Sequence, residues 1–230
     1  MGEPGLGTPL DADTLARRQQ LPIKPADVTL TGQRVLLRPI DVARDVAALY
    51  ARSNGQPAGL GGRQIDAYDA DAAIWRYMSA GPFESAESMA AWLRSLRDTP
   101  DGLCLTVLQL PDQEPIGTVS FLANTPAHLK IELGSIWYSP LAQRTGANTE
   151  ATYLMLKHAF ELGYRRVEWK CNTLNERSRR AALRMGFIFE GIQEAHYIVK
   201  GRNRDTAWFR ILDHEWPAVR TTLEGLLSRW

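Results

Sequence analysis

The sequence predicts one mixed α/β (α+β) domain built on a mostly antiparallel sheet with a single parallel crossover. Two observations predict it. Residues 103–110 and 115–122 are apolar runs separated by Pro111, Asp112 and Gln113, the pattern of a β-hairpin. Residues 130–172 read as a strand, a short polar loop, an amphipathic helix and a second strand, the kind of connection that joins parallel strands. The composition agrees, since 44% hydrophobic and 23% charged residues are ordinary for a globular chain of 230 residues.

The elements follow in order. Residues 1–27 hold Gly2, Pro4, Gly5, Gly7, Pro9, Pro22 and Pro25, and read as a flexible arm with one helical turn around residues 13–20. The domain proper is expected over residues 28–230. Residues 28–38 make two short strands around Gly32, and Asp41 caps a helix whose apolar face includes Val42, Val46 and Leu49. Residues 53–83 are rich in glycine, acids and aromatics. A long loop of that composition is a common ligand contact, so Trp75 and Tyr77 are candidates for the substrate side, the alternative being that they pack the loop onto the core. Residues 85–97 form a helix capped by Ser85 or Ser88, with Met89, Trp92, Leu93 and Leu96 on one face. Later strands are expected at residues 166–172, 187–192, 195–200 and 205–211, with a helix at 175–185. A last helix, about residues 216–228, starts with Pro217 in a favourable first-turn position.

Charge excludes little and points nowhere in bulk. Lys and Arg number 27 against 26 Asp and Glu, so the net charge of +1 gives no general attraction to nucleic acid or to a membrane surface. No apolar run approaches a membrane span, and no basic-then-apolar leader opens the chain. Cys104 and Cys171 lack metal-type spacing and are expected as buried free thiols, which suits the cytoplasm. No metal site is expected.

The chemistry centres on residues 130–163. Ser139 and Pro140 end the strand, and the loop from Gln143 through Arg144, Thr145, Gly146 and Ala147 to Asn148 opens the helix. A loop feeding a helix N-terminus presents free N–H groups to an anion. It is not a Walker loop, because the Gly-Lys-Ser/Thr ending is missing. Three ordered segments carry a resemblance: Leu36-Leu37-Arg38-Pro39 followed by an acid and a helix; Gln143-x-x-Gly146 followed by Thr149-Glu150-Ala151; and Asn175-Glu176-Arg177-Ser178 with Gly186-Phe187 and Glu190-Gly191. Together they resemble the GCN5-related N-acetyltransferase (GNAT) superfamily, in its RimJ/RimL-like branch, over about residues 30–211.

The resemblance implies a GNAT fold, a single domain whose twisted sheet of six or seven strands carries helices on both faces. It implies acetyl-CoA as cosubstrate, no metal, and direct transfer of acetyl to a primary amine such as a protein or peptide N-terminus. A small-molecule amine acceptor, suited by Asp66, Asp69 and Asp71, and a degenerate CoA-binding domain are the alternatives. Residues 143–149 would cradle the pyrophosphate, with Asn148 standing where glycine or alanine is usual. Asn tolerates left-handed backbone angles. Ile136, Trp137 and Tyr138 lie on the strand that offers backbone groups to the pantetheine arm, and Asn175 would also contact that arm. Ser178 would protonate the departing thiolate, its other reading being helix capping; Ala182 stands where other branches place a tyrosine. Glu132 is the first candidate for the base, with Glu194 and His196 as alternatives and unassisted attack also open. The expected partners are acetyl-CoA and an amine substrate, with no nucleic acid or membrane, in a monomer or homodimer.

Overall fold

The structure is a computed structural model that describes residues 7–230. In chain order the elements are α1 (Ala12–Gln20), β1 (Leu30–Thr31), β2 (Val35–Pro39), α2 (Val42–Ala51), β3 (Ala58–Leu60), β4 (Arg63–Ile65), a π-helical turn (Asp71–Trp75), α3 (Ala86–Arg97), β5 (Leu103–Gln109), β6 (Glu114–Thr125), β7 (Lys130–Tyr138), α4 (Ala147–Glu161), β8 (Arg166–Asn172), α5 (Glu176–Arg184), β9 (Ile188–Val199), β10 (Arg202–Leu212) and α6 (Trp216–Leu227). Helix starts follow local capping chemistry. Asp41 accepts the Arg44 N–H, and Ser85 and Ser88 form a reciprocal capping box.

Eight strands form one sheet in the order β1-β2-β5-β6-β7-β8-β10-β9, and β3 with β4 makes a separate hairpin. The sheet has eight strands rather than six or seven, partly because the turn at Gly32 brings the two residues of β1 back onto β2. Residues 187–192 and 195–200, expected as separate strands, are one strand, β9. It carries a bulge at Ala195, whose φ is +49° and whose N–H is accepted by Asp205 at 2.8 Å.

Apolar side chains alternate across the strands and build two cores. On one face α4, α5 and α6 bury Ala151, Met155, Ala182, Met185 and Leu223 against Ile131, Leu133, Val167 and Phe209. On the other, α2 and α3 bury Leu49, Met89 and Leu93 with Trp75 and Trp137. That second cover lies over β5 and β6. Past β7 the same face of the sheet is polar.

The segment expected as a flexible arm with one helical turn contains α1 among its described residues, 7–27, its earlier part lying outside them. α1 is a nine-residue helix capped by Asp11. Arg18 donates to the Ala127 carbonyl at 2.7 Å, Lys24 to those of Arg97 and Thr99 at 2.8 Å, and the Asn124 amide to those of Pro22 and Ile23 at 2.9 Å. Every one of these contacts joins residues far apart in sequence, so local composition carries no sign of them.

Candidate active site

Among the described residues β7 and β8 are the one parallel pair, in register from Lys130 opposite Arg166 to Leu133 opposite Trp169. There the pairing stops. β7 continues to Tyr138 along β6 alone, through a bulge in which Ser135 has φ +49°. Gly134 lies close to two side-chain ends, since a Cβ there would come within 2.7 Å of a Leu122 methyl and 2.9 Å of the Glu132 carboxylate and would push both aside. The divergence leaves the β8-facing backbone of residues 134–138 without a strand partner, a slit in the strand pairing.

At the end of β7 the loop to α4 turns through Arg144 (φ +62°) and Gly146 (φ +81°). Gly146 offers no capping side chain, and among the described residues the N–H groups of Asn148 and Thr149 find no carbonyl four residues back. Those free donors and the helix dipole favour an anion. Glu150 fixes the helix end. Its buried carboxylate accepts the N–H groups of Gln33, Arg34 and Val35 at 2.8–2.9 Å. Asn148 is helical, in the first turn of α4, so the left-handed tolerance invoked for it is needed at Arg144 instead.

α5 enters the other side of the slit. Asn175 caps it by accepting the Ser178 N–H at 3.1 Å, which leaves the Asn175 NH₂ group for other contacts. The Trp169 indole N–H donates to Ser178 Oγ at 3.0 Å. A hydroxyl that accepts can still donate, so Ser178 keeps the capacity to give a proton, with the Cys171 thiol as its neighbour in the protein. Capping of α5 therefore falls to Asn175, not to the Ser178 side chain.

Glu132 lies on the opposite face of β7, only 2% exposed, with Oε2 at 2.7 Å from Lys170 Nζ. The contact is an ion pair rather than an aligned hydrogen bond, because the carboxylate oxygen has no partner of good geometry. Burial pushes the Glu132 carboxyl above its usual range, with Lys170 opposing. Burial pulls Lys170 down, but Glu132 more than offsets this and leaves it raised. The His196 ring lies tilted against Tyr197, with centroids 3.9 Å apart, and near Trp208. Burial, reinforced by Lys170 and Arg204, lowers the His196 pKa, favouring the neutral ring. Glu194 is exposed.

Several expected contacts fall elsewhere. Trp75 is fully buried, its indole N–H bonded to the Ser53 carbonyl at 2.9 Å and its ring packed on Phe83, Trp92 and Trp137. Its ring is therefore a core group and not a substrate contact. Trp75→Ala should cost about 3–5 kcal/mol in denaturant unfolding. Tyr77 is half-buried beside it in sequence. The side chains of Trp137 and Tyr138 are also core, so only their backbones can serve a ligand. The Gln143 amide donates to the Tyr138 and Ala73 carbonyls at 3.1 and 3.2 Å, tying the loop down rather than reaching for an anion. Asp69 and Asp71 bond to the Ala72 N–H and to Arg76, which weakens the idea of an acidic ring for a cationic amine.

Four positions around the candidate site were not visible in the sequence. Arg177 donates to the Ala72 and Ala73 carbonyls and Lys200 to that of Trp75, so α5 and the β9–β10 turn both hold the π-helical turn across the slit. Lys170 reveals itself only through the register of β8. Trp230, beyond α6, lies against the phosphate-type loop: a Cβ on Gly146 would meet its ring at 3.0 Å. Among the described residues no group of acids, histidines and cysteines could hold a metal ion, and no helix is long and apolar enough to cross a membrane. Both cysteines are free and buried, and burial raises the Cys104 pKa to about 12.

Comparison with known proteins agrees with this geometry. The family model described as Acetyltransferase (GNAT) domain matches residues 34–188. The ribosomal-protein-serine acetyltransferase of Escherichia coli is 30% identical over 106 residues, which is 45% of this chain and 59% of the relative's own length. A solved GCN5-related N-acetyltransferase from Brucella melitensis superposes with a TM-score of 0.77 at 36% identity, covering 87% of this chain and 86% of its own. A probable acetyltransferase of the GNAT family from Chromobacterium violaceum gives a TM-score of 0.78 at 34% identity, covering 94% of this chain and 100% of its own. The splayed parallel pair, the uncapped helix at its mouth and the matched sequence thus have one origin: this chain is a member of the GNAT family of N-acetyltransferases.

Proposed function

We propose that this enzyme transfers acetyl from acetyl-CoA to a primary amine, and that the amine is a protein or peptide N-terminus. One observation carries the reading. The slit between β7 and β8 has a hydroxyl able to donate a proton, Ser178, on one side and a buried carboxylate, Glu132, on the other. An amine reaching the slit from the Glu132 side meets a thioester laid in from the α4–α5 side. The N-terminus of α4 would hold the pyrophosphate, and the unpaired backbone of residues 134–138 would take the pantetheine amides.

The substrate ammonium first gives a proton to Glu132, directly or through water, and the freed nitrogen lone pair bonds to the thioester carbon while the carbonyl oxygen takes up the negative charge. The C–S bond then breaks as the carbonyl re-forms, and the thiolate gains the Ser178 proton. The nitrogen releases its second proton to solvent, and Ser178 regains one from solvent. No covalent enzyme intermediate is needed. The acceptor class rests on similarity to an enzyme named for ribosomal-protein serine. It draws further support from the acids of the early loop being bonded within their own turn.

The test is incubation with acetyl-CoA and short peptides bearing free N-termini, followed by thiol release and peptide mass. Acetylated peptide is the expected product. Thiol release with polyamines or free amino acids alone would reject the acceptor, and no release with any amine would reject the reaction. Because burial raises the Glu132 pKa and a base works deprotonated, the rate should climb with pH through a limb above the usual carboxylate range. Glu132→Gln should lower kcat/KM and abolish that limb. An unchanged pH profile in this variant would remove Glu132 from proton transfer.

A further inference from the structure

The polar face past β7 holds an unusual set of buried groups. His196 Nδ1, Arg204 Nε, Thr206 Oγ1 and Trp208 Nε1 are all shut off from solvent without a hydrogen-bond partner. Thr206 is fully buried. On β10, Thr206 and Trp208 stand opposite Asn172 and Lys170 of β8, so they share the face that carries Glu132. Arg204 and Trp208 nitrogens can only donate, and the Thr206 hydroxyl can donate as well. Buried donors are normally satisfied, and several left open on one surface point to an acceptor-rich ligand.

Charge gives the ligand its sign. The Tyr197 ring lies between two cations, Lys170 Nζ at 5.7 Å and the Arg204 guanidinium at 5.6 Å, and Lys170 is also 5.2 Å from the Trp208 ring. The nearby carboxylates are Glu132, Glu168, Asp205 and Glu194, of which Glu168 pairs with Lys130 and Arg166. Glu132 pairs with Lys170, and Asp205 accepts from the Ala195 N–H and the Asn203 amide. Glu194 is exposed to solvent. Arg204 has no ion-pair partner among the described residues, and its open Nε belongs to the planar edge that binds carboxylates two-pronged.

Resting on the acetyl-transfer reading above, we propose that this face recognises a carboxylate on the acceptor close to the reacting amine, with Arg204 as the residue that reads it. The preferred acceptor is then a peptide N-terminus with an acidic residue directly after the first. A polyamine would instead bring further ammonium groups against Lys170 and Arg204.

The deciding probes are the peptide amides Ser-Asp-Ala and Ser-Asn-Ala, which differ in one charge. Their equilibrium binding to the full chain is measured by calorimetry, and their acetylation is measured in parallel. Ser-Asp-Ala should bind and react at least about tenfold better, as expected for one charge-assisted pair. Arg204→Met should equalise the two peptides in binding and in acetylation, whatever change it makes to the rate they share. Arg204→Lys should recover only part of the preference. Equal binding of the two peptides to the wild type, or a preference that survives Arg204→Met, overturns the proposal. Tenfold tighter binding of Ser-Asp-Ala without acetylation would uphold the carboxylate site while rejecting the acetyl-transfer reading.

Discussion

Ser178→Ala is expected to lower kcat by about a hundredfold while acetyl-CoA affinity stays within about twofold, the pattern of a lost general acid. The hydroxyl sits in the first turn of α5 and accepts the Trp169 indole N–H at 3.0 Å, and it can still donate its own proton. Alanine removes the proton donor. It also strands the indole N–H, which costs about 1–3 kcal/mol of stability. Trp169→Phe separates these effects, because it removes the indole donor and keeps the hydroxyl. Turnover should survive in Trp169→Phe and fall in Ser178→Ala. An equal loss in both would make Ser178 a structural group. Full turnover in Ser178→Ala would exclude it from the mechanism.

The second large effect concerns stability. Glu150→Ala should cost about 3–5 kcal/mol in denaturant unfolding, because three backbone N–H groups around the Gly32 turn lose their common acceptor inside the protein. The same loss should loosen the N-terminus of α4 and weaken acetyl-CoA binding. Glu150→Gln keeps one acceptor oxygen but turns an NH₂ toward the same donors, so an intermediate loss is expected. Gly32 shows how tightly the carboxylate is seated, since a Cβ there would lie 2.6 Å from the Glu150 carboxyl carbon. A stability change under about 1 kcal/mol in Glu150→Ala would contradict this role.

The crossover from β7 to β8 was legible because its signals are local: an apolar run, a proline stop, a polar loop and a helical period. So were the caps at Asp41, Ser85 and Asn175, each set by bonds reaching three residues. What stayed hidden depends on distant pairing. Glu132 reads as an acid at a strand start, and only its place beside β8 buries it and brings Lys170 to it. Trp75 reads as an aromatic in a ligand loop, yet three rings from other elements surround it. The role given to Gln143 came from a motif, and the tertiary fold turns its amide onto the Tyr138 and Ala73 carbonyls instead. The open donors of β10 could not be read either, because a donor is open only relative to what the fold places around it.

The most direct measurement is calorimetric titration of the full chain with acetyl-CoA. Saturable one-to-one binding is expected, with a rise in the unfolding midpoint as the cosubstrate is added. Absence of heat together with an unmoved midpoint at high acetyl-CoA concentration would contradict the assignment of the slit and of the α4 N-terminus to this cosubstrate.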